Sequence, residues 1–147
     1  MKTKLFSIVI LLFVMTFTSC SSDDDQPTIP VVPVADGFTW KENGTATVHT
    51  AASASFSTNF KTLIAKDASN ATLFEINLSG TTPATYAVDA SNAITYTGVS
   101  PYYTATGGSV IITTNAAGKM TGTFRSVGNS GGITAINGTF KNIAVTP

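Results

Sequence analysis

Hydrophobic and polar residues alternate along much of the chain from residue 37 onward. The segment Ser53–Phe60 alternates strictly and places Phe56 and Phe60 on the same face. The segment Thr72–Leu78 follows the same rule, with Glu75 on the polar face. A period of two is typical of a strand that buries one side. Since no stretch after residue 36 keeps a helical period, the pattern predicts β-structure throughout this region.

Turn-forming residues separate the predicted strands. The pair Asn43-Gly44 predicts a tight hairpin turn that joins a strand over Phe38–Lys41 to one over Thr45–His49. Two further turns are predicted, at Asp67–Asn70 and at Asn115–Gly118.

The last two predicted strands repeat one motif. Gly122–Val127 reads Gly-Thr-Phe-Arg-Ser-Val, and Gly138–Ile143 reads Gly-Thr-Phe-Lys-Asn-Ile. We expect these strands to form a hairpin closed by the flexible loop Gly128–Gly132. In the last strand the apolar pattern shifts by one residue near Asn142, which predicts a bulge there. The side chains predicted to face the core are Phe124 and Phe140, and those predicted to face outward are Arg125 and Lys141.

Residues 37–147 are therefore predicted to form an all-β domain, a single antiparallel β-sandwich with a β-barrel as the alternative. Short strands with frequent turns are typical of both. The domain carries six basic and four acidic residues without a basic cluster, so we expect no nucleic-acid partner. Only 11% of the whole chain is charged, so Thr, Ser, Asn and Gly must cover most of the surface.

The N-terminus has the features of a bacterial export signal. Two lysines form a positive n-region, and Leu5–Phe17 is almost wholly apolar. That run is shorter than the about 17–25 residues that a membrane-spanning helix needs. Cys20, the single cysteine, follows two small residues. We predict a signal peptide over residues 1–19, followed over residues 20–36 by the cysteine, an acidic run and a proline-rich tether, the tether itself being Gln26–Ala35.

The end of this signal resembles the lipobox of bacterial lipoproteins. The resemblance implies cleavage before Cys20, a diacylglycerol on its thiol and N-acylation of the new terminus. The acidic run that follows resembles the surface-export tag of Bacteroidota lipoproteins. Together they imply a chain anchored to the outer membrane through lipid, without spanning it, and facing the cell exterior. The residues of the tag are Ser21, Ser22, Asp23, Asp24 and Asp25.

Motifs within the domain carry a second resemblance. Trp40 with Asn43-Gly44, the segment Pro83–Tyr86 and the paired Gly-Thr-Phe strands resemble a group of small flavobacterial lipoproteins of unknown function. This resemblance implies an all-β lipoprotein and brings no catalytic residue with it.

The segment Gly128–Gly132 fits the pattern G-x-S-x-G and resembles the Gly-Asp-Ser-Gly-Gly of trypsin-like proteases, with Ser130 in the place of the nucleophile. His49 and either Asp67 or Asp89 would complete a triad. However, Ser130 lies between two predicted strands, whereas a nucleophile elbow needs a strand-to-helix turn. The alternation around His49 also predicts an exposed, unoriented imidazole. We therefore expect no serine hydrolase.

Other catalytic arrangements find equally little support. A zinc site needs three or four ligands, and the chain has one histidine. Glycoside hydrolysis needs two facing carboxylates, and nothing in the sequence places two together. The candidates are Glu42, Asp67, Glu75 and Asp89. We expect a protein without catalytic activity, metal or cofactor.

Aromatic residues supply the candidate ligand site. Adjacent residues on a strand face opposite sides, so one of Tyr102 and Tyr103 should point outward. With Tyr96 or Trp40 it would form a platform for a sugar ring or a protein; the alternative is that Tyr102 is in the core and Tyr103 is a lone surface ring. The functional hypothesis is a binding module for a glycan or a protein. Its rival is a scaffolding lipoprotein of the cell envelope.

Overall fold

The computed structural model describes residues 35–147. The predicted signal peptide, Cys20, the export tag and most of the tether lie outside the described residues. Within them the chain forms eleven strands and no helix. The strands are β1 Gly37–Glu42, β2 His49–Thr50, β3 Ser53–Ser57, β4 Thr62–Lys66, β5 Thr72–Asn77, β6 Ala84–Ala87, β7 Ala93–Tyr96, β8 Tyr103–Thr104, β9 Gly107–Ala116, β10 Lys119–Ser130 and β11 Ile133–Thr146.

All strands belong to one mixed sheet, which curls around its core as a half-barrel. The order is β6-β9-β10-β11-β3-β4-β5-β7-β8, and β1 pairs with both β11 and β2 beside this path. The all-β prediction is confirmed. The expectation of a purely antiparallel sheet is wrong at one pair, because Ala144–Thr146 of β11 runs parallel to Ser55–Ser57 of β3. Because β1 is antiparallel to both β11 and β2, the chain after this hairpin runs in the direction of β11. β3, which follows directly, therefore pairs with β11 in parallel.

The segment between β8 and β9 connects the two halves of the curled sheet through backbone hydrogen bonds. The Ala105 amide donates to the Ile94 carbonyl of β7 at 2.9 Å, and the Thr106 amide donates to the Val127 carbonyl of β10 at 2.8 Å. One short stretch of backbone thus bonds to strands from both halves of the sheet. The inward faces of these halves enclose a single apolar core.

A cluster of aromatic rings fills one part of that core. Phe38 lies 5.0 Å from Phe74 and 5.2 Å from Phe124 between ring centroids. Phe74 stacks on Tyr96 at 4.6 Å, and Trp40 meets the edge of Phe74 at 5.1 Å. Stacked, tilted and edge-on contacts of this kind add about 0.5–1.5 kcal/mol per pair to the burial of the rings.

The repeated Gly-Thr-Phe motif has a structural reason. In the register of β10 and β11, Gly122 faces Phe140 and Phe124 faces Gly138, so each phenylalanine covers the glycine of the other strand. A Cβ atom added at Gly138 would lie 2.2 Å from Phe124, and one added at Gly122 would lie 2.4 Å from Phe140. Both rings are buried, which confirms the predicted core positions.

The predicted bulge and two of the predicted turns are confirmed. Asn142 adopts a φ of 50°, and the register shifts there so that Thr121 alone faces two residues of β11. The Asp67 carboxylate accepts from the Ser69 and Ala71 amides at 2.9 Å each, which closes the turn after β4. The β9–β10 turn, Asn115–Gly118, has positive φ angles at its last two residues.

The predicted hairpins differ in length from those observed. Asn43 and Gly44 do form a turn, with φ angles of 51° and 68°, but the next strand begins only at His49. Four intervening residues therefore replace most of the predicted strand. At the other end, pairing continues through Ser130, so the predicted five-residue loop shrinks to Gly131 and Gly132. Both glycines have positive φ angles, as a two-residue hairpin turn requires.

Candidate functional site

The predicted aromatic platform does not form at the surface. Trp40 and Tyr96 are each only 5% exposed, and Tyr103 is fully buried, whereas Tyr102 is 63% exposed. The assignment of Tyr102 to the core and Tyr103 to the surface is thus also reversed. Of the residues proposed for the platform, only Tyr102 could meet a ligand.

Tyr103 points inward because the interior offers it a partner and room. Its hydroxyl donates to Ser126 Oγ at 3.1 Å, and burial raises the pKa of the phenol. Gly128 packs against the ring, since a Cβ atom there would lie 2.8 Å from it. Tyr102, the residue directly before Tyr103, points to the opposite side of the chain and must then face outward.

Trp40 and Tyr96 lie beside a partly buried carboxylate. The indole Nε1 of Trp40 donates to Glu42 Oε1 at 3.1 Å. Burial, together with the hydrogen bond and charge of Glu42, raises the pKa of Tyr96 to about 12. His49 stacks on the Trp40 ring with centroids 5.2 Å apart and is partly buried, so the prediction of a solvent-facing imidazole is wrong. The stack instead covers one edge of the core.

The structure does not assemble the protease-like triad. Ser130 Oγ donates to the Pro101 carbonyl at 3.2 Å, and His49 is occupied by its stack on Trp40. Asp67 and Asp89 each accept hydrogen bonds from amides of their own turns. The hydrogen bond from the Ser69 hydroxyl, together with those from the Ala71 and Ser69 amides, lowers the pKa of Asp67, as expected for a carboxylate that stabilises a turn. Among residues 35–147 no three His, Cys, Asp or Glu side chains group as metal ligands.

A groove on the outer face of β3, β4 and β5 is the site that the structure favours. It is a shallow groove, open to solvent, with a volume of about 330 Å³. Phe60, in the turn between β3 and β4, forms one side and is 80% exposed. The prediction that Phe60 lies on the same strand face as the buried Phe56 is wrong, because β3 ends at Ser57 and the turn carries Phe60 away from the inward face. The other lining residues are Ser55, Ser57, Thr62, Ile64 and Glu75.

The strand register explains this lining. Ser55 pairs with Ile64, which pairs with Glu75, so these side chains form one row across the three strands. Ser57 pairs with Thr62 in the neighbouring row. Residues that alternate with them point into the core, so the groove is lined by the outward side chains, which are three hydroxyls and one carboxylate beside the apolar side chain of Ile64.

Hydrogen bonds hold the groove in shape. Asn77 Nδ2 donates to Glu75 Oε1 at 2.9 Å, and the Thr62 hydroxyl lies 2.7 Å from Asn77 Oδ1 and 3.0 Å from the Phe60 carbonyl. The Phe60 amide donates to Ser57 Oγ at 3.4 Å. The backbone that carries the exposed ring is therefore tied to the groove on both sides.

The alternation along β5 places Glu75 correctly on the outer face but does not connect it with Phe60. The pair Thr58-Asn59, which favours a turn, was the signal that the strand ends before Phe60. The groove depends on which strands lie side by side, and local alternation carries no information on that.

Comparisons with known proteins add no assignment. No protein-family model, curated protein or solved structure matches this chain. Within the described residues, no helix has the length and apolar character needed to cross a membrane.

Proposed function

We propose that this protein is a lipid-anchored module of the outer membrane that faces the cell exterior and binds a glycan in the groove beside Phe60. The observation that carries the proposal is the exposed aromatic ring of Phe60 in a largely apolar groove that also presents hydroxyl groups and one carboxylate. A pyranose presents an apolar face of C–H groups and a rim of hydroxyls. An aromatic side chain beside a few fixed polar groups complements both features.

The turn that carries Phe60 is ordered before such a contact. The amide and carbonyl of Phe60 both take part in hydrogen bonds with groove residues, to Ser57 and Thr62. Lys61, the next residue, adopts a φ of 53°, which fixes the course of the turn. A ligand therefore need not order this turn on binding, and the free energy of contact is not spent on that step.

The lining supports binding in preference to hydrolysis. Glu75 is the single carboxylate among the lining residues, whereas glycosidases use a pair of carboxylates on the two sides of the scissile bond. One fixed carboxylate suits a receptor, because it accepts hydrogen bonds from sugar hydroxyls without needing a partner.

The anchored location rests on the N-terminal sequence. Cys20 of the lipobox-like sequence is the proposed site of lipid attachment, and Ser21–Asp25 is the proposed export tag. A tether of polyproline character over the ten residues from 26 to 35 would span about 30 Å at about 3.1 Å per residue. The domain would reach glycans outside the membrane while it stays attached to it.

The test is glycan binding by the full-length protein, purified in non-ionic detergent and applied to an array of bacterial, plant and algal polysaccharides. We expect Phe60→Ala to weaken binding at least tenfold, as loss of a central aromatic contact does. Tyr102→Ala is the matched control, since it removes another exposed ring outside the groove and should leave binding unchanged.

Three results would contradict the proposal. They are the absence of binding to any glycan, equal binding by Phe60→Ala, and loss of binding with Tyr102→Ala alone. Specific cross-linking from groove positions to one envelope protein in cells, without glycan binding, would favour the scaffolding role instead.

A further inference from the structure

We infer that the groove beside Phe60 selects neutral glycans over anionic ones and that Glu75 is the residue that makes this distinction. The inference rests on the proposed function and adds the chemical class of its ligand. It depends on the charge that the lining residues give the groove.

Glu75 is the one charged side chain that lines the groove. It is exposed, and no ion pair neutralises it among residues 35–147, where the ion pair recorded is Lys141 with Asp36. Its contact is with the neutral amide of Asn77. The groove therefore presents a net negative charge to a ligand.

The two lysines of β4 and its preceding turn do not offset this charge from within the groove. Lys61 Nζ donates to the Ser79 carbonyl at 3.0 Å, and Lys66 Nζ donates to Asn70 Oδ1 at 3.2 Å. Neither side chain lines the groove. Among the lining residues, an anionic sugar would therefore meet one charge, that of Glu75.

The carboxylate is also placed to accept hydroxyls. Asn77 occupies one lone pair of Oε1, and a carboxylate offers about four acceptor sites on its two oxygens. Glu75 lies beside Ile64, with Thr95 on its other side across the sheet. The remaining acceptor sites can take hydrogen bonds from neighbouring sugar hydroxyls, whereas a uronate or sulfate at the same position brings like charges together.

The size of the discrimination follows from Coulomb repulsion in a wet site. Two like charges about 4 Å apart in water repel strongly enough to weaken binding about fivefold. We therefore expect a neutral glycan to bind about fivefold or more tightly than the same glycan carrying one facing carboxylate. The ratio should shrink as salt screens the charges.

The experiment compares matched ligands on the full-length protein in detergent. Soluble mannan and cellohexaose are each measured beside the same glycan after oxidation of its primary alcohols to carboxylates. In Glu75→Gln the side chain keeps its shape and its acceptor for Asn77 but loses its charge. Asp36→Asn changes the net charge equally at a residue outside the groove lining.

The neutral form should bind about fivefold more tightly to the unaltered protein and to Asp36→Asn, and the two forms should bind within about twofold of each other in Glu75→Gln. Equal or tighter binding of the carboxylated glycan by the unaltered protein would overturn the inference alone, as would a preference that survives in Glu75→Gln. Binding of neither form of either glycan would overturn the inference, and together with an array on which no glycan binds it would overturn the proposed function as well.

Discussion

Substitution of Gly138 by alanine tests the reciprocal packing of the Gly-Thr-Phe motifs. The new Cβ atom would lie 2.2 Å from one ring carbon of Phe124 and 2.6 Å from the Thr39 carbonyl oxygen. The ring cannot swing away freely, because Phe38 and Phe74 pack against it at 5.2 and 5.6 Å. The carbonyl belongs to β1, which is paired with β11 along its whole length.

These contacts set the expected magnitude. Overpacking of a core costs typically about 1–3 kcal/mol, and here both a ring and a backbone carbonyl must move, so the cost should lie near the upper end. The smaller entropy of an unfolded chain with alanine offsets about 0.4–1 kcal/mol. We therefore expect a loss of about 2 kcal/mol, which corresponds to a fall in Tm of about 8 °C for a domain of this size.

Urea unfolding followed by Trp40 fluorescence measures the loss, since this is the single tryptophan and it lies in the core. Gly107→Ala is the matched control: its Cβ would meet only a methyl carbon of Val127, at 3.3 Å, and that side chain can move. The reasoning is refuted if Gly138→Ala and Gly107→Ala change the free energy of unfolding by the same amount.

Three further predictions follow from the structure. Asn43→Ala should cost about 1–3 kcal/mol, because the amide side chain bonds to the Gly132 carbonyl at 3.0 Å and the Thr134 amide at 2.8 Å; Asn43→Asp, which keeps the acceptor, should lose less in the same urea assay. The pKa of Tyr96 is raised to about 12 in the folded protein, whereas in the unfolded chain it is about 10. The stability that this difference contributes is therefore constant below about pH 10 and is lost as the pH rises toward 12. Between these two pH values, the free energy of unfolding should fall less steeply with pH in Tyr96→Phe. Replacement of Asp23–Asp25 by alanine should protect the domain from protease added to intact cells, and equal cleavage of both forms would contradict the export role of the acidic run.

Alternation predicted strands reliably where the two faces of a strand have different environments. In β5 the apolar residues Phe74 and Ile76 are buried and Glu75 is exposed, as the pattern indicates. The same rule failed at Phe60, because the alternation was assumed to continue beyond Ser57, where the strand ends. A period of two describes a strand but does not show where the strand stops, and the turn at Thr58–Lys61 reverses the side on which the ring emerges.

Pairing between distant strands could not be predicted from the pattern. The parallel contact of β11 with β3 joins segments about ninety residues apart in the chain, and its direction follows from the preceding hairpin. The Gly-Thr-Phe repeat was visible in the sequence, but its meaning depends on register. Only when Gly122 lies opposite Phe140 does each ring cover the glycine of the other strand.

The same dependence on register decides where a ligand can bind. Local sequence requires that Tyr102 and Tyr103 point in opposite directions, but it cannot choose between them. The choice is made by Ser126 and Gly128 on β10, which offer Tyr103 a hydrogen bond and a space without a Cβ atom. Aromatic residues with such partners belong to the core and affect binding only through stability. Phe60 has no comparable enclosure, since it is 80% exposed, and its fixed backbone beside polar side chains makes it the aromatic residue on which ligand binding should depend.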